Sequence, residues 1–186
     1  MVTTLTDLPK TLPAPQDDGA CRHLLGKQLP NIYLQSSHQT SVNLSTIKGW
    51  LVVYCYPMTG QPDVVLPDGW NKIPGARGCT PQSCSFRDNF QILEDLKVQV
   101  FGLSTQSTKY QQEAAHRLLL PFALLSDKNL AFIQALSLPV FQVQQMQLNK
   151  RVTVIAFDGV IQHYFYPVFP PDKNVENVID WLMLNV

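Results

Sequence analysis

Gly78-Cys79-Thr80-Pro81-Gln82-Ser83-Cys84-Ser85-Phe86-Arg87-Asp88 is the stretch from which the rest of the chain is read. Gly78 closes a loop, Thr80 is a candidate cap, and Pro81 suits a first helical turn, where its missing N–H costs nothing. Cys79, Ser83, Phe86, Phe90 and Leu93 then recur at three- and four-residue steps, one face of a helix from Thr80 to about Leu96. A cysteine at a helix start lies near unpaired backbone N–H groups, and these together with the helix dipole favour a thiolate. Cys79 is expected to point inward with Phe86 and Phe90, into a shielded pocket. Cys84 lies one turn and more away, rotated by about 140° and raised by about 7.5 Å in an ideal helix. A disulfide tolerates a Cα separation of roughly 7 Å at most. Cys79 and Cys84 can therefore bond only if the first turn unwinds, so the expected site is helical when reduced and locally unfolded when oxidised.

Outward from this helix, strands and helices alternate. Upstream, Trp50–Tyr56 is a continuous apolar run that suits a central strand covered on both faces, with Cys55 as core packing. Residues 61–77 separate that strand from the helix. They hold prolines at 62, 67 and 74, and they read as either a functional cover or a surface insertion. Leu29–Leu34 and Ser41–Leu44 are further short strands. Downstream come a buried strand over 98–104, a helix over 107–120 ended by Pro121, a short strand over 122–125, and a helix over 130–138 capped by Asp127. Residues 139–149 read as irregular. Residues 151–157 and 160–166 form a hairpin about Asp158-Gly159, a type I′ turn signal, and a helix over 174–184 closes the chain. The expected architecture is α/β: a central mixed β-sheet flanked by helices on both faces. Residues 1–18 read as a tail and residues 19–186 as one domain.

Composition excludes several function classes. Lys plus Arg number 14 and Asp plus Glu number 14, so no surface for a nucleic acid or other polyanion is indicated. No apolar run approaches the roughly 20 residues that span a membrane, and the first 20 residues contain no apolar signal region, so a cytoplasmic protein is expected. The four cysteines, Cys21, Cys55, Cys79 and Cys84, are too few for a disulfide scaffold, so the close pair points to redox or metal chemistry. No paired cysteine or histidine spacing fits zinc. Cys21 reads as a lone structural or exposed thiol, His116 as a solvated histidine, and Arg87-Asp88 as a structural pair.

Tyr56-Pro57, Gly78-Cys79-Thr80, Cys84 and Phe86-Arg87-Asp88 together resemble the peroxiredoxins, and most closely their peroxiredoxin Q group, also called bacterioferritin-comigratory proteins. The likeness continues through Gly102-Leu103-Ser104, Leu120-Pro121-Phe122, Leu125-Ser126-Asp127, Arg151-Val152-Thr153 and Asp158-Gly159-Val160-Ile161. It implies a thioredoxin-like fold and a cofactor-free thiol peroxidase acting on hydrogen peroxide or an organic hydroperoxide. Cys79 falls on the peroxidatic cysteine, Cys84 on the resolving cysteine, Arg151 on the arginine that holds thiolate and peroxide, and Pro57 on the proline that shields the site. The resemblance further implies an intrachain disulfide, recycling by thioredoxin or a glutaredoxin-type dithiol, and a monomer or weak homodimer.

This chain departs from the group's pattern. The group has a threonine shortly before the cysteine, but here residues 61–77 intervene and Ala76 holds that position. Thr59 can replace it only if the long loop bulges out and leaves Pro57-Met58-Thr59 near Cys79; Thr80 is the other hydroxyl able to orient a peroxide. Gln82 stands where the group often has glutamate. A thiol–disulfide oxidoreductase and a non-catalytic interaction protein on the same fold stay open. The first normally separates its cysteines by two residues, and here four intervene.

Overall fold

A computed structural model describes residue 8 and residues 11–186; the remainder of the expected tail, residues 1–7, 9 and 10, lies outside the described residues. The strands are β1 (Tyr33–Ser36), β2 (Ser41–Asn43), β3 (Trp50–Cys55), β4 (Gln99–Ser104), β5 (Leu124–Ser126), β6 (Val140–Val143), β7 (Met146–Asn149), β8 (Val152–Phe157) and β9 (Val160–Phe165). The helices are α1 (Cys79–Asp88), α2 (Phe90–Asp95), α3 (Thr108–Arg117), α4 (Ala131–Ala135) and α5 (Asn174–Asn185). Seven strands form one mixed sheet in the order β2-β1-β5-β4-β3-β8-β9, and β6 and β7 form a separate hairpin. The parallel pairs β3–β4 and β4–β5 are reached through helical crossovers, whereas β8 lies antiparallel to β3 and turns back into β9.

Period-two alternation in β3 divides the core. Leu51, Val53 and Cys55 join Leu24, Leu29, Phe132 and Ile133 on one face, beneath α4 and the turns before β1. Val52 and Tyr54 face the other way, with Cys79, Phe86, Leu93, Ala114 and Val178 from α1, α2, α3 and α5. This is the mixed sheet covered on both faces that the alternation of elements predicts.

Four local expectations are corrected. The helix from Thr80 to Leu96 is two helices, broken at Asn89, whose side-chain amide donates to the Ser85 carbonyl at 2.9 Å and caps α1. The first strand begins at Tyr33 rather than Leu29, after a tight turn in which the Ile32 N–H reaches the Pro30 carbonyl. Residues 140–149 are a hairpin, not irregular coil. No glycine, asparagine or aspartate marks its turn; Gln144 adopts φ 52° instead. Asp127 does not sit at the N-cap of α4, where Leu130 is, but its carboxylate accepts from the Phe132 and Ile133 N–H groups. The Asp158-Gly159 turn matches its signal, with positive φ at both residues.

The long segment before α1 divides in two. Val64 and Val65 are exposed, but Trp70, in a short 3-10 turn, and Ala76 are buried. They form a third apolar cluster with Met58, Val143 and Leu148, so the β6–β7 hairpin and the loop cover each other.

Candidate active site

Three chain segments converge on Cys79. The residue opens α1, where Gly78 is the N-cap in the left-handed region at φ 105°. A Cβ at Gly78 would collide with Pro171 and approach Leu8 to 2.9 Å, so both conformation and space require glycine here. The cap is thus Gly78, not Thr80, which lies inside the first turn. No side chain caps α1 and no acidic residue sits in its first turn, so no first-turn carboxylate competes for the free N–H groups at the helix start where Cys79 lies.

Arg151, immediately before β8, supplies the charge. The residue is 3 % exposed. Nη2 lies 3.2 Å from Cys79 Sγ and 3.3–3.4 Å from the carbonyls of Gly75, Ala76 and Arg77, and Nη1 donates to Gln82 Oε1. None of these partners is a carboxylate. Cys79 itself is 2 % exposed, and its thiol donates to the Ala76 carbonyl at 3.6 Å. A buried guanidinium against a sulfur supports the thiolate and can stabilise an oxyanion developing beside it.

The space in front of Cys79 is small. A cavity of about 20 Å³ is lined by Met58, Gly60, Trp70, Gly78, Cys79 and Thr80 among others, room for little more than one water-sized group. Thr80 therefore faces the reacting volume. The long loop does bulge out and return Met58 and Gly60 to Cys79, but Thr59 is directed elsewhere. Its N–H and hydroxyl donate to Gln106 Oε1 at 3.0 and 3.3 Å, and its carbonyl accepts from Tyr110. Pro57 is buried at the end of β3. A larger cavity of about 520 Å³, lined by Pro15, Pro74, Phe141, Tyr166 and Val168, also reaches Arg151 but does not include Cys79.

Cys84 shares α1 with Cys79, and both are free thiols. Cys84 is half-buried, and burial pushes its thiol above the ordinary range, opposed by the nearby Arg87. Arg87 and Asp88 pair at 2.8 Å, and Arg87 also donates to the Leu118 carbonyl, tying α1 to the end of α3. The other two cysteines are packing residues. Burial raises Cys21 to about 12 and Cys55 further still. His116 is exposed. Among the described residues no cluster of His, Cys, Asp or Glu is placed to hold a metal ion, and no helix is long and apolar enough to cross a membrane.

Sequence reasoning missed Gln106 and Tyr110, which hold Thr59, and Asn174, which accepts from Gln82. No motif marks them. Thr153 was within reach, because period two places it on the same side of its strand as Arg151.

The Redoxin family model matches residues 24–179. Peroxiredoxin Q, chloroplastic, of Oryza sativa subsp. japonica is 28 % identical over 178 residues, covering 92 % of this chain and 75 % of the rice protein. The peroxidoxin BcpB of Mycobacterium tuberculosis superimposes with a TM-score of 0.71 at 20 % identity, over 87 % of this chain and 97 % of that one. The Xanthomonas campestris bacterioferritin comigratory protein, whose structure concerns alkyl peroxide reduction activity, superimposes with a TM-score of 0.65 at 20 % identity, over 84 % and 96 % of the two chains.

Proposed function

Because the chain belongs to the Redoxin family, within its peroxiredoxin Q and bacterioferritin-comigratory group, we propose that it is a thiol-dependent peroxidase in which Cys79 takes the terminal oxygen of a hydroperoxide. The observation that carries this reading is the buried Arg151 guanidinium 3.2 Å from Cys79 Sγ at a helix start without a side-chain cap.

The Cys79 thiolate attacks the terminal oxygen and the O–O bond breaks. The leaving alkoxide or hydroxide takes a proton to become alcohol or water, and Cys79 is left as a sulfenic acid. Arg151 and the first N–H groups of α1 stabilise the charge on both sides of that step. Pro57 shields the sulfur from bulk water, and Thr80 orients the peroxide. Thr59 contributes a hydroxyl only if it leaves Gln106. Cys84 then attacks the sulfenic sulfur and expels water, giving an intrachain disulfide. In an ideal helix the Cα atoms of Cys79 and Cys84 stand about 8.7 Å apart, beyond disulfide reach, so α1 unwinds first. A thioredoxin- or glutaredoxin-type dithiol restores both thiols by exchange. The cavity at Cys79 has room for little more than one water-sized group, so the bulk of a hydroperoxide must lie outside it. No cofactor or metal enters the scheme. A monomer or weak homodimer and a cytoplasmic location belong to the same proposal. Light scattering tests the first, and imaging a tagged full-length chain tests the second.

The primary test follows consumption of hydrogen peroxide and cumene hydroperoxide with a thioredoxin–thioredoxin reductase couple. The parent should turn over, Cys79→Ser should be inactive, and Cys84→Ser should be oxidised once and then stall. A parent that consumes neither peroxide although Cys79 is reduced and alkylatable would overturn the reading.

A further inference from the structure

Arg151 is held by a network that contains no carboxylate. Its Nη1 donates to Gln82 Oε1; Gln82 Nε2 donates to Asn174 Oδ1 at 2.8 Å; and Thr153 Oγ1 donates to the same Asn174 oxygen at 2.7 Å. All four side chains are buried, Gln82 and Thr153 completely. They come from α1, the start of β8 and the start of α5, so the chain is joined only in three dimensions.

A guanidinium has donors and no acceptor. Gln82 serves Arg151 only when its amide oxygen points at the guanidinium, which turns its NH2 towards α5. That NH2 needs an acceptor, and Asn174 supplies one only while its own oxygen faces Gln82. Thr153 donates its hydroxyl to that same oxygen, and Asn174 Nδ2 has no partner on its other side. If either amide turned over, two donors would meet in a buried site, an arrangement costly enough that buried polar groups avoid it. A carboxylate at position 82 would need no such orientation, since both of its oxygens accept.

We propose that Asn174 is a positioning residue for the peroxide reaction: by fixing the Gln82 amide it holds the Arg151 guanidinium against Cys79 without a counter-charge. This rests on the peroxidase reading of Cys79. It explains how the site does without glutamate at position 82. Arg151 keeps its full charge, and Cys79, as thiolate, is the one anion among the groups to which Arg151 donates.

The test is a double-mutant cycle. The rate of iodoacetamide alkylation of Cys79 at pH 7 and the single-turnover rate with hydrogen peroxide are measured for the parent, Asn174→Leu, Gln82→Glu and the pair. Asn174→Leu should slow both rates by roughly tenfold or more, as expected when a charge-assisted hydrogen bond loses its geometry. In the Gln82→Glu background the same change should cost less than about twofold, because a carboxylate needs no orienting partner. Equal losses in both backgrounds would mean that Asn174 merely starts α5, and no loss in the parent would mean that it positions nothing; either result overturns the proposal. Thr153→Val, remote from the α5 backbone, should slow both rates in the same direction by about threefold, the size of one weakened neutral hydrogen bond, and keeps the test sound if Asn174→Leu does not fold. Alkylation reads the sulfur directly, so the cycle decides the proposal even for a parent that consumes no peroxide, an outcome that would count against the peroxidase reading alone.

Discussion

Replacing Ser83 with alanine should accelerate disulfide formation. Ser83 lies between the two cysteines on α1, and the buried Tyr54 hydroxyl donates to its Oγ at 3.1 Å. Tyr54 also stacks on Phe86, with ring centroids 4.5 Å apart, so this tyrosine fastens the helix to the sheet. In Ser83→Ala the folded site leaves the Tyr54 hydroxyl without a partner, at a cost of about 1–3 kcal/mol. The unwound site loses nothing, because Ser83 has already left Tyr54 there. Alanine returns about 0.5 kcal/mol through its better helix propensity. The net shift of about 0.5–2.5 kcal/mol towards the unwound form multiplies its population by roughly 2–70. If unwinding is a rapid equilibrium before attack by Cys84, the step from sulfenic acid to disulfide speeds up by the same factor. The assay mixes reduced protein with one equivalent of hydrogen peroxide, quenches at intervals, and follows dimedone-trappable Cys79 and disulfide by mass spectrometry. Oxidation to sulfinic acid in excess peroxide should fall in parallel. Tyr54→Phe combined with Ser83→Ala removes both partners, which is nearly neutral, and should return the rate to that of the parent. A double variant as fast as Ser83→Ala, or a single variant no faster than the parent, would refute the reasoning.

Arg151→Met should lower the rate of Cys79 with peroxide by roughly 10²–10³-fold, the scale of losing one preorganised charge-stabilising group, as read by single-turnover kinetics. Trp70→Ala empties the centre of the cluster shared by the long loop and the β6–β7 hairpin; protease cleavage within residues 61–77 should rise by at least tenfold while the global thermal midpoint falls by only a few degrees. The segment before β1 is tethered by Asp18, which the hydrogen bonds of Lys150 and Tyr166 hold down to about 2. A carboxyl lowered by folding stabilises the folded form above its ordinary value and loses that contribution as pH falls, so this tether should be intact above about pH 4 and lost by about pH 2. Carboxyl NMR should show the Asp18 midpoint near 2 and, in Lys150→Met, a move back towards about 3.9.

The fold was legible where one residue pattern dictated one environment. The apolar run at 50–56 reads as a strand covered on both sides, 98–104 as a buried strand and 151–157 as one arm of a hairpin about the tight Asp158-Gly159 turn. Expectation failed where a local signal was weak or a tertiary contact overrode it. Asn89 ends α1 by bonding a carbonyl, although the apolar periodicity runs on to Leu93 and Leu96. Residues 140–149 pair because Val143 and Leu148 gain a surface beneath Trp70, which no window of ten residues contains.

The site divides in the same way. Cys79 at a helix start and Cys84 out of bonding reach on the same helix follow from local spacing and helix geometry, so the sequence by itself determined them. Which groups face Cys79 was decided only by the tertiary structure. Arg151 arrives from the start of β8, 72 positions along the chain, Thr59 is drawn to Gln106, and Asn174 reaches Gln82 across 92 positions of sequence. Hydrogen bonds and charge act over a few ångströms of space, while the sequence records only distance along the chain.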